Sequence, residues 1–157
     1  YDVLGHDERI ELLGLLQEDA GLTTEALGKK VGLSATAVQR RIRRLRADGV
    51  IERNRALAAH LGRRACELLG DLEHVAEVRQ CGMIVAAELA RGADRSCPFD
   101  WRERRGVRGY RHGLEHEALL RPIGNVVYFM PPYVITPDEI DALVLTARDG
   151  IVAATCD

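Results

Sequence analysis

Lysine is almost missing from this sequence: of 157 residues, only Lys29 and Lys30 carry an ε-amine. Everything after residue 30 therefore lacks the amine that Schiff-base catalysis needs. Aromatic residues are also scarce at 4% of the chain, and six of the seven lie at or after Phe99, which suggests two segments of different character. Cys66, Cys81, Cys97 and Cys156 are widely spaced and form no C-x-x-C pair. They exclude a dense disulfide framework and read as reduced thiols in a cytoplasmic protein. No apolar run approaches the ~18 residues of a membrane span, and no signal-peptide pattern is seen. Tyr1, not Met, opens the sequence, so a preceding segment is expected. No glycine-rich phosphate loop and no nucleophile–base constellation is found, and no catalytic residue is assigned.

Charge is present but unevenly placed. The formal net charge is −2. Residues 1–57 hold ten Lys and Arg against nine Asp and Glu, and residues 58–157 hold twelve against fifteen. The basic charge concentrates in Ser34–Gly49, where Arg40, Arg41, Arg43, Arg44 and Arg46 fall within seven residues that hold no acid. Ser34 suits an N-cap and Gly49 a left-handed stop. Val38, Ile42 and Leu45 fall at i, i+4 and i+7, one narrow apolar stripe. Thr36, Arg40, Arg43 and Ala47 point the other way, flanked by Gln39 and Arg44. A solvated face normally mixes signs and gains i,i+4 pairing from doing so. Unpaired arginines on a capped helix suit a polyanion.

Two helices are expected before it. Asp7–Asp19 carries an apolar face of Ile10, Leu12, Leu13 and Leu16, and ends at Gly21. Thr23 or Thr24 caps a second helix with Ala26, Leu27 and Val31 inward. Gly32-Leu33-Ser34 is a short turn, and the whole reads as a helix-turn-helix. Val50–Arg53 is expected as a short strand or wing. The run from His6 to Ile51, with Leu-Thr-Thr-Glu-Ala-Leu, Val-Gly-Leu-Ser and Arg-Arg-Leu-Arg-Ala-Asp-Gly-Val-Ile, resembles the DNA-binding domain of Lrp/AsnC transcription regulators. The resemblance implies that Ser34–Ala47 is a recognition helix for double-stranded DNA. Ser34, Thr36, Gln39, Arg40, Arg43, Arg44 and Arg46 are then the candidate DNA contacts. A helix-turn-helix that serves only as a protein-interaction module is the plainer alternative.

The remainder reads as α-β-β-α-β-β-α. Arg55–Gly70 is helical, Val75–Arg79 and Met83–Leu89 are paired strands, and Ala90–Asp100 is a loop. Trp101–Glu117 is mostly helical despite three glycines. Ala118–Pro122 and Asn125–Phe129 pair, and a last helix starts near Pro137. The fold class is α+β, a three-helix helix-turn-helix followed by a small antiparallel sheet with helices on one face. Domains are expected at 1–53 and 54–157.

His74–Gln80, Gly82-Met83-Ile84, Pro98–Gly106, Tyr110-Arg111-His112 and Leu120–Pro137 closely resemble the C-terminal small domain of class III aminotransferases, in the branch that serves biotin synthesis. By that resemblance Arg121 matches the arginine that binds the substrate carboxylate, left over from an ancestral site. The family's Schiff-base lysine lies in a large domain that these residues do not include. The chain is thus expected to be a fusion: a DNA-binding regulator carrying an incomplete aminotransferase domain, without cofactor and without transaminase activity. Two alternatives stand beside it. One is a transaminase fragment that uses pyridoxal phosphate only with a missing large domain, and the other is a fusion product with no selected activity. Self-association is expected through 58–157. His112-Gly113-Leu114-Glu115-His116 fits the H-x-x-E-H zinc pattern, but Gly113 weakens the helix by about 1 kcal/mol and no third ligand follows, so no metal is assigned.

Overall fold

The computed structural model describes residues 10–16, 19, 21–91 and 97–156. The chain forms two compact units, Tyr1–Ala56 and Leu57–Asp157. Among the described residues no helix is long and apolar enough to cross a membrane.

In the first unit, residues 10–16 are helical (α1), followed by α2 (Thr24–Val31) and α3 (Ala35–Ala47). Asp7, where the first helix is expected to start, lies outside the described residues. Leu12, Leu27, Val38, Ile42, Leu45 and Ile51 form the core. Ile10 stays half exposed, so it leaves the inward face it was assigned to. Thr23 caps α2 by accepting the Ala26 amide at 3.2 Å. Gly32 closes α2 at φ +68°, a conformation glycine takes without a Cβ clash.

The expected strand or wing at Val50–Arg53 is instead the start of α4 (Val50–Leu69). Gly49, at φ +66°, ends α3 and turns the chain, and Arg53 N then donates to the Gly49 carbonyl at 3.0 Å. Two β-branched residues in a row favour a strand locally. Ile51, Asn54, Leu57, Leu61 and Ala65, all buried at spacings of three and four, impose helical periodicity and override that preference. Helix α4 begins in the first unit and continues into the second.

The second unit contains β1 (Val75–Cys81), β2 (Ile84–Arg91), β3 (Cys97–Pro98), α5 (Arg105–Glu115), β4 (Arg121–Ile123), β5 (Val126–Phe129) and α6 (Pro137–Thr155). The antiparallel sheet runs β1-β2-β5-β4. Val85, Ala87 and Leu89 of β2 and Val127 and Phe129 of β5 alternate onto one face. They meet Leu57, Leu61, Ala65 and Leu69 of α4 and Ile140, Val144, Ala147 and Ile151 of α6 in a single core. The arrangement is α+β, as the order of elements predicts.

Three departures have local causes. The expected loop at 90–100 contains strand pairing at its described ends, because β3 pairs Pro98 with Ala90 and Cys97 with Arg91. The Trp101–Glu117 helix is broken at Arg104, which sits at φ +50° between a 3-10 turn, Trp101–Glu103, and α5. That break delivers Arg105 to the interior, where it donates to Glu103 Oε2 at 2.9 and 2.8 Å and to the Ala154 carbonyl at 2.9 Å, over the Phe99 ring. Thirdly, the glycines of α5 lie on its packed face. A Cβ at Gly113 would come within 2.6 Å of the Ala118 carbonyl oxygen, and Gly109 faces the Gly150 backbone of α6.

Candidate nucleic-acid interface

The charged helix is built as its sequence requires. Ser34 Oγ accepts the Ala37 amide at 3.2 Å, so one free N–H of the first turn is satisfied. Val38, Ile42 and Leu45 are buried and hold α3 by one stripe. Gly28 sets the turn before it: its carbonyl accepts the Leu33 amide at 2.9 Å, and a Cβ there would lie 2.5 Å from the Leu33 oxygen. Residue 28 therefore positions α3 without facing outward, a role that an isolated glycine in a helical run only hints at.

Ser34, Thr36, Gln39, Arg40, Arg43, Arg44 and Arg46 are all exposed. At helical spacing Thr36, Arg40 and Arg43 run down the middle of the exposed face, with Gln39 and Arg44 on its flanks. Arg46 sits at the margin beside the packed stripe. Arg41 differs, being half-buried and engaged with other groups. Arg40, Arg43, Arg44 and Arg46 have no ion-pair partner among the described residues. Lys29 and Lys30, exposed in the last turn of α2, add positive charge to the same unit. The arrangement presents planar guanidinium groups with free donors, suited to phosphate oxygens and to guanine edges.

Arg121 is placed elsewhere. It begins β4 in the second unit, exposed, and lines a cavity of about 650 Å³ with His116, Thr146, Leu119, Met130 and Val134. No lysine lines this cavity. Both lysines of the chain are exposed on α2 of the first unit. The residues here thus do not fit pyridoxal phosphate held as a Schiff base. The H-x-x-E-H histidines stack, ring centroids 4.2 Å apart, and His116 Nδ1 lies 2.8 Å from the His112 carbonyl oxygen. Among the described residues no group of three or more His, Cys, Asp or Glu is placed to hold a metal.

Comparison with known proteins finds two kinds of relative. Residues 9–52 match a family model for winged helix-turn-helix DNA-binding domains. A 43-residue stretch is 56% identical to an HTH-type transcriptional regulator of Sinorhizobium fredii, covering 27% of this chain and 25% of that protein. A 74-residue stretch is 54% identical to the adenosylmethionine-8-amino-7-oxononanoate aminotransferase of Geobacter sulfurreducens, covering 47% of this chain and 16% of that enzyme. The crystal structure of the aminotransferase of that name from Methanocaldococcus jannaschii aligns with a TM-score of 0.66 at 29% identity, over 78% of this chain and 28% of that one. The chain carries a helix-turn-helix DNA-binding domain and a class III aminotransferase-like region. It spans 16–20% of the length of the curated oxononanoate aminotransferases it matches.

Proposed function

We propose that this chain is a cytoplasmic transcription regulator of Lrp/AsnC type, which binds double-stranded DNA through α3 and carries a catalytically incomplete aminotransferase domain. The domains divide at 1–53 and 54–157. The observation that supports this reading is the capped helix whose exposed arginines lack acidic partners among the described residues. Thr36, Gln39 and Arg40, in the N-terminal half of α3, read base edges. Arg43, Arg44 and Arg46 grip phosphates. Arg121 is a remnant without a cofactor to present a substrate to.

Salt titration of binding to duplex DNA tests the reading. The expected result is a dissociation constant of about 10⁻⁴–10⁻⁶ M for arbitrary sequence at physiological salt, weakening log-linearly as salt rises. Absence of binding even at low salt overturns it, and leaves α3 a solvated face.

The aminotransferase-like region favours one second reading, a transaminase fragment that works in biotin synthesis with a separate large domain and pyridoxal phosphate. Transaminase activity that appears on adding such a domain, with no DNA binding, would select it.

A further inference from the structure

We propose that β1 is an edge through which two copies of this chain pair. The sheet has two edges, and they are built differently. Edge strands are usually blunted by shortness, proline or bulges. At one edge β4 is three residues long and contains Pro122, opposite Val127. The Leu89 amide donates to the Asn125 carbonyl at 2.8 Å, so the odd-numbered residues of β5 bond to β2. Val126 and Tyr128 must then bond to Ile123 and Arg121 of β4. Pro122 faces its nitrogen out of the sheet, where it has no hydrogen to offer. That edge is closed.

At the other edge β1 is seven residues long, and its one irregularity falls at its start, between Val75 and Glu77. The same Leu89 bond turns the backbone of Ile84, Ala86 and Glu88 toward β1, where their partners are Cys81, Arg79 and Glu77. Val78 and Gln80 therefore point their N–H and C=O groups away from β2. Among the described residues, no backbone hydrogen bond from outside the sheet reaches Ala76–Cys81.

Charge identifies the occupant. Glu77 stands opposite Glu88, a like-charge cross-strand pair, and Arg79 serves both at 3.4 and 3.1 Å. One guanidinium thus answers two carboxylates, and Glu77 and Arg79 are both more than half exposed or at half. If two copies of β1 run antiparallel about a two-fold axis at Val78, each Glu77 lies opposite the second copy's Arg79. The same register lets the two Val78 residues exchange both of their outward hydrogen bonds. Centring on Glu77 or Arg79 instead sets like charges face to face and offers backbone groups already used by β2. Only the Val78 register satisfies both charge and backbone, which is the self-complementarity an isologous dimer needs. This pairing does not depend on DNA binding. Its consequence for the DNA-binding reading is a molecule with two copies of α3.

Sedimentation velocity of the full chain over a range of concentrations tests this. A reversible monomer–dimer equilibrium is expected. Arg79→Glu should raise the dissociation constant at least about tenfold, because two symmetry-related contacts turn repulsive. Val78→Pro should do the same by removing the outward N–H while leaving the β2 ladder intact. Far-UV circular dichroism checks that each variant is folded. Glu77→Arg alone should also dissociate, and mixing it with Arg79→Glu should restore a heterodimer. A wild-type chain monomeric at every concentration overturns the proposal. So does a dimer that these variants leave unmoved, or a mixture that fails to pair.

Discussion

Ser34 Oγ accepts the Ala37 amide at 3.2 Å, and with that bond the arginine helix begins. Its removal has a definite expected effect. Ser34→Ala should cost about 1 kcal/mol of α3 stability, whereas Ser34→Gly should cost only a few tenths and Ser34→Asp almost nothing. Hydrogen exchange of the α3 amides reads this directly. About fivefold faster exchange is expected in the alanine variant, since 1 kcal/mol corresponds to that factor. Equal exchange in all three variants would show that the cap contributes nothing.

Acid should loosen the second unit through Glu103. Hydrogen bonds from Arg105 first and Arg91 second hold its carboxyl below the ordinary glutamate value, against a smaller opposing effect of desolvation. A carboxylate depressed in the folded state stabilises it fully above the unfolded pKa, and loses that contribution as pH falls through the folded one. The thermal midpoint of the second unit should therefore drop as pH falls below the ordinary glutamate range. Glu103→Gln should start lower at neutral pH and show a flatter profile. A variant with the wild-type slope would place the acid sensitivity elsewhere.

The sequence made much of this fold legible because its signals were local. Ser34, Thr23 and Pro137 mark helix starts, and alternation marks β2 and β5. What it hid was decided at a distance. Val50-Ile51 is locally strand-like, and only the burial of Ile51, Leu57 and Leu61 makes it helical. The three glycines of α5 read as weak points until Gly109 and Gly113 are seen against α6 and the Ala118–Leu120 segment. Nothing in the sequence sets Arg105 apart from the arginines beside it, yet it is 4% exposed and tied to Glu103 and Ala154. On the candidate site the exposure of Thr36, Gln39, Arg40, Arg43 and Arg44 was legible, because exposure on a helix follows from periodicity. Gly28 was not, because its role depends on how closely the turn passes it.

Exposure to pyridoxal phosphate should leave the chain without enzymatic activity. Lys29 and Lys30 are exposed and stand on α2, and the cavity beside Arg121 contains no lysine. After borohydride reduction, mass spectrometry should find no saturable, stoichiometric pyridoxyl group on either lysine. An amino donor and a keto acid should give no turnover. A reduced adduct at Lys29 or Lys30 together with turnover would contradict the reading of the second unit as catalytically incomplete.

Arg40 and Arg44 should separate base reading from phosphate binding. Both are exposed arginines of α3 without an ion-pair partner among the described residues, so electrostatics alone does not distinguish them. Position does. Arg40 lies in the middle of the exposed face and nearer the N-terminus, the part of a recognition helix that enters the major groove. Arg44 lies one turn later, on the flank. Arg40→Ala should cost about 1–3 kcal/mol on a preferred sequence and relax selectivity at one base pair, since a bidentate contact to guanine is lost. On arbitrary DNA its effect should be smaller. Arg44→Ala should weaken binding by a similar factor on every sequence and reduce the salt slope by about one unit, as one fewer phosphate is neutralised. Selection from a random duplex pool supplies the preferred sequence, and anisotropy titrations at several salt concentrations supply the slopes. Identical slopes for Arg44→Ala and wild type would remove Arg44 from the phosphate contacts. Unchanged selectivity in Arg40→Ala would move base reading to Thr36 and Gln39.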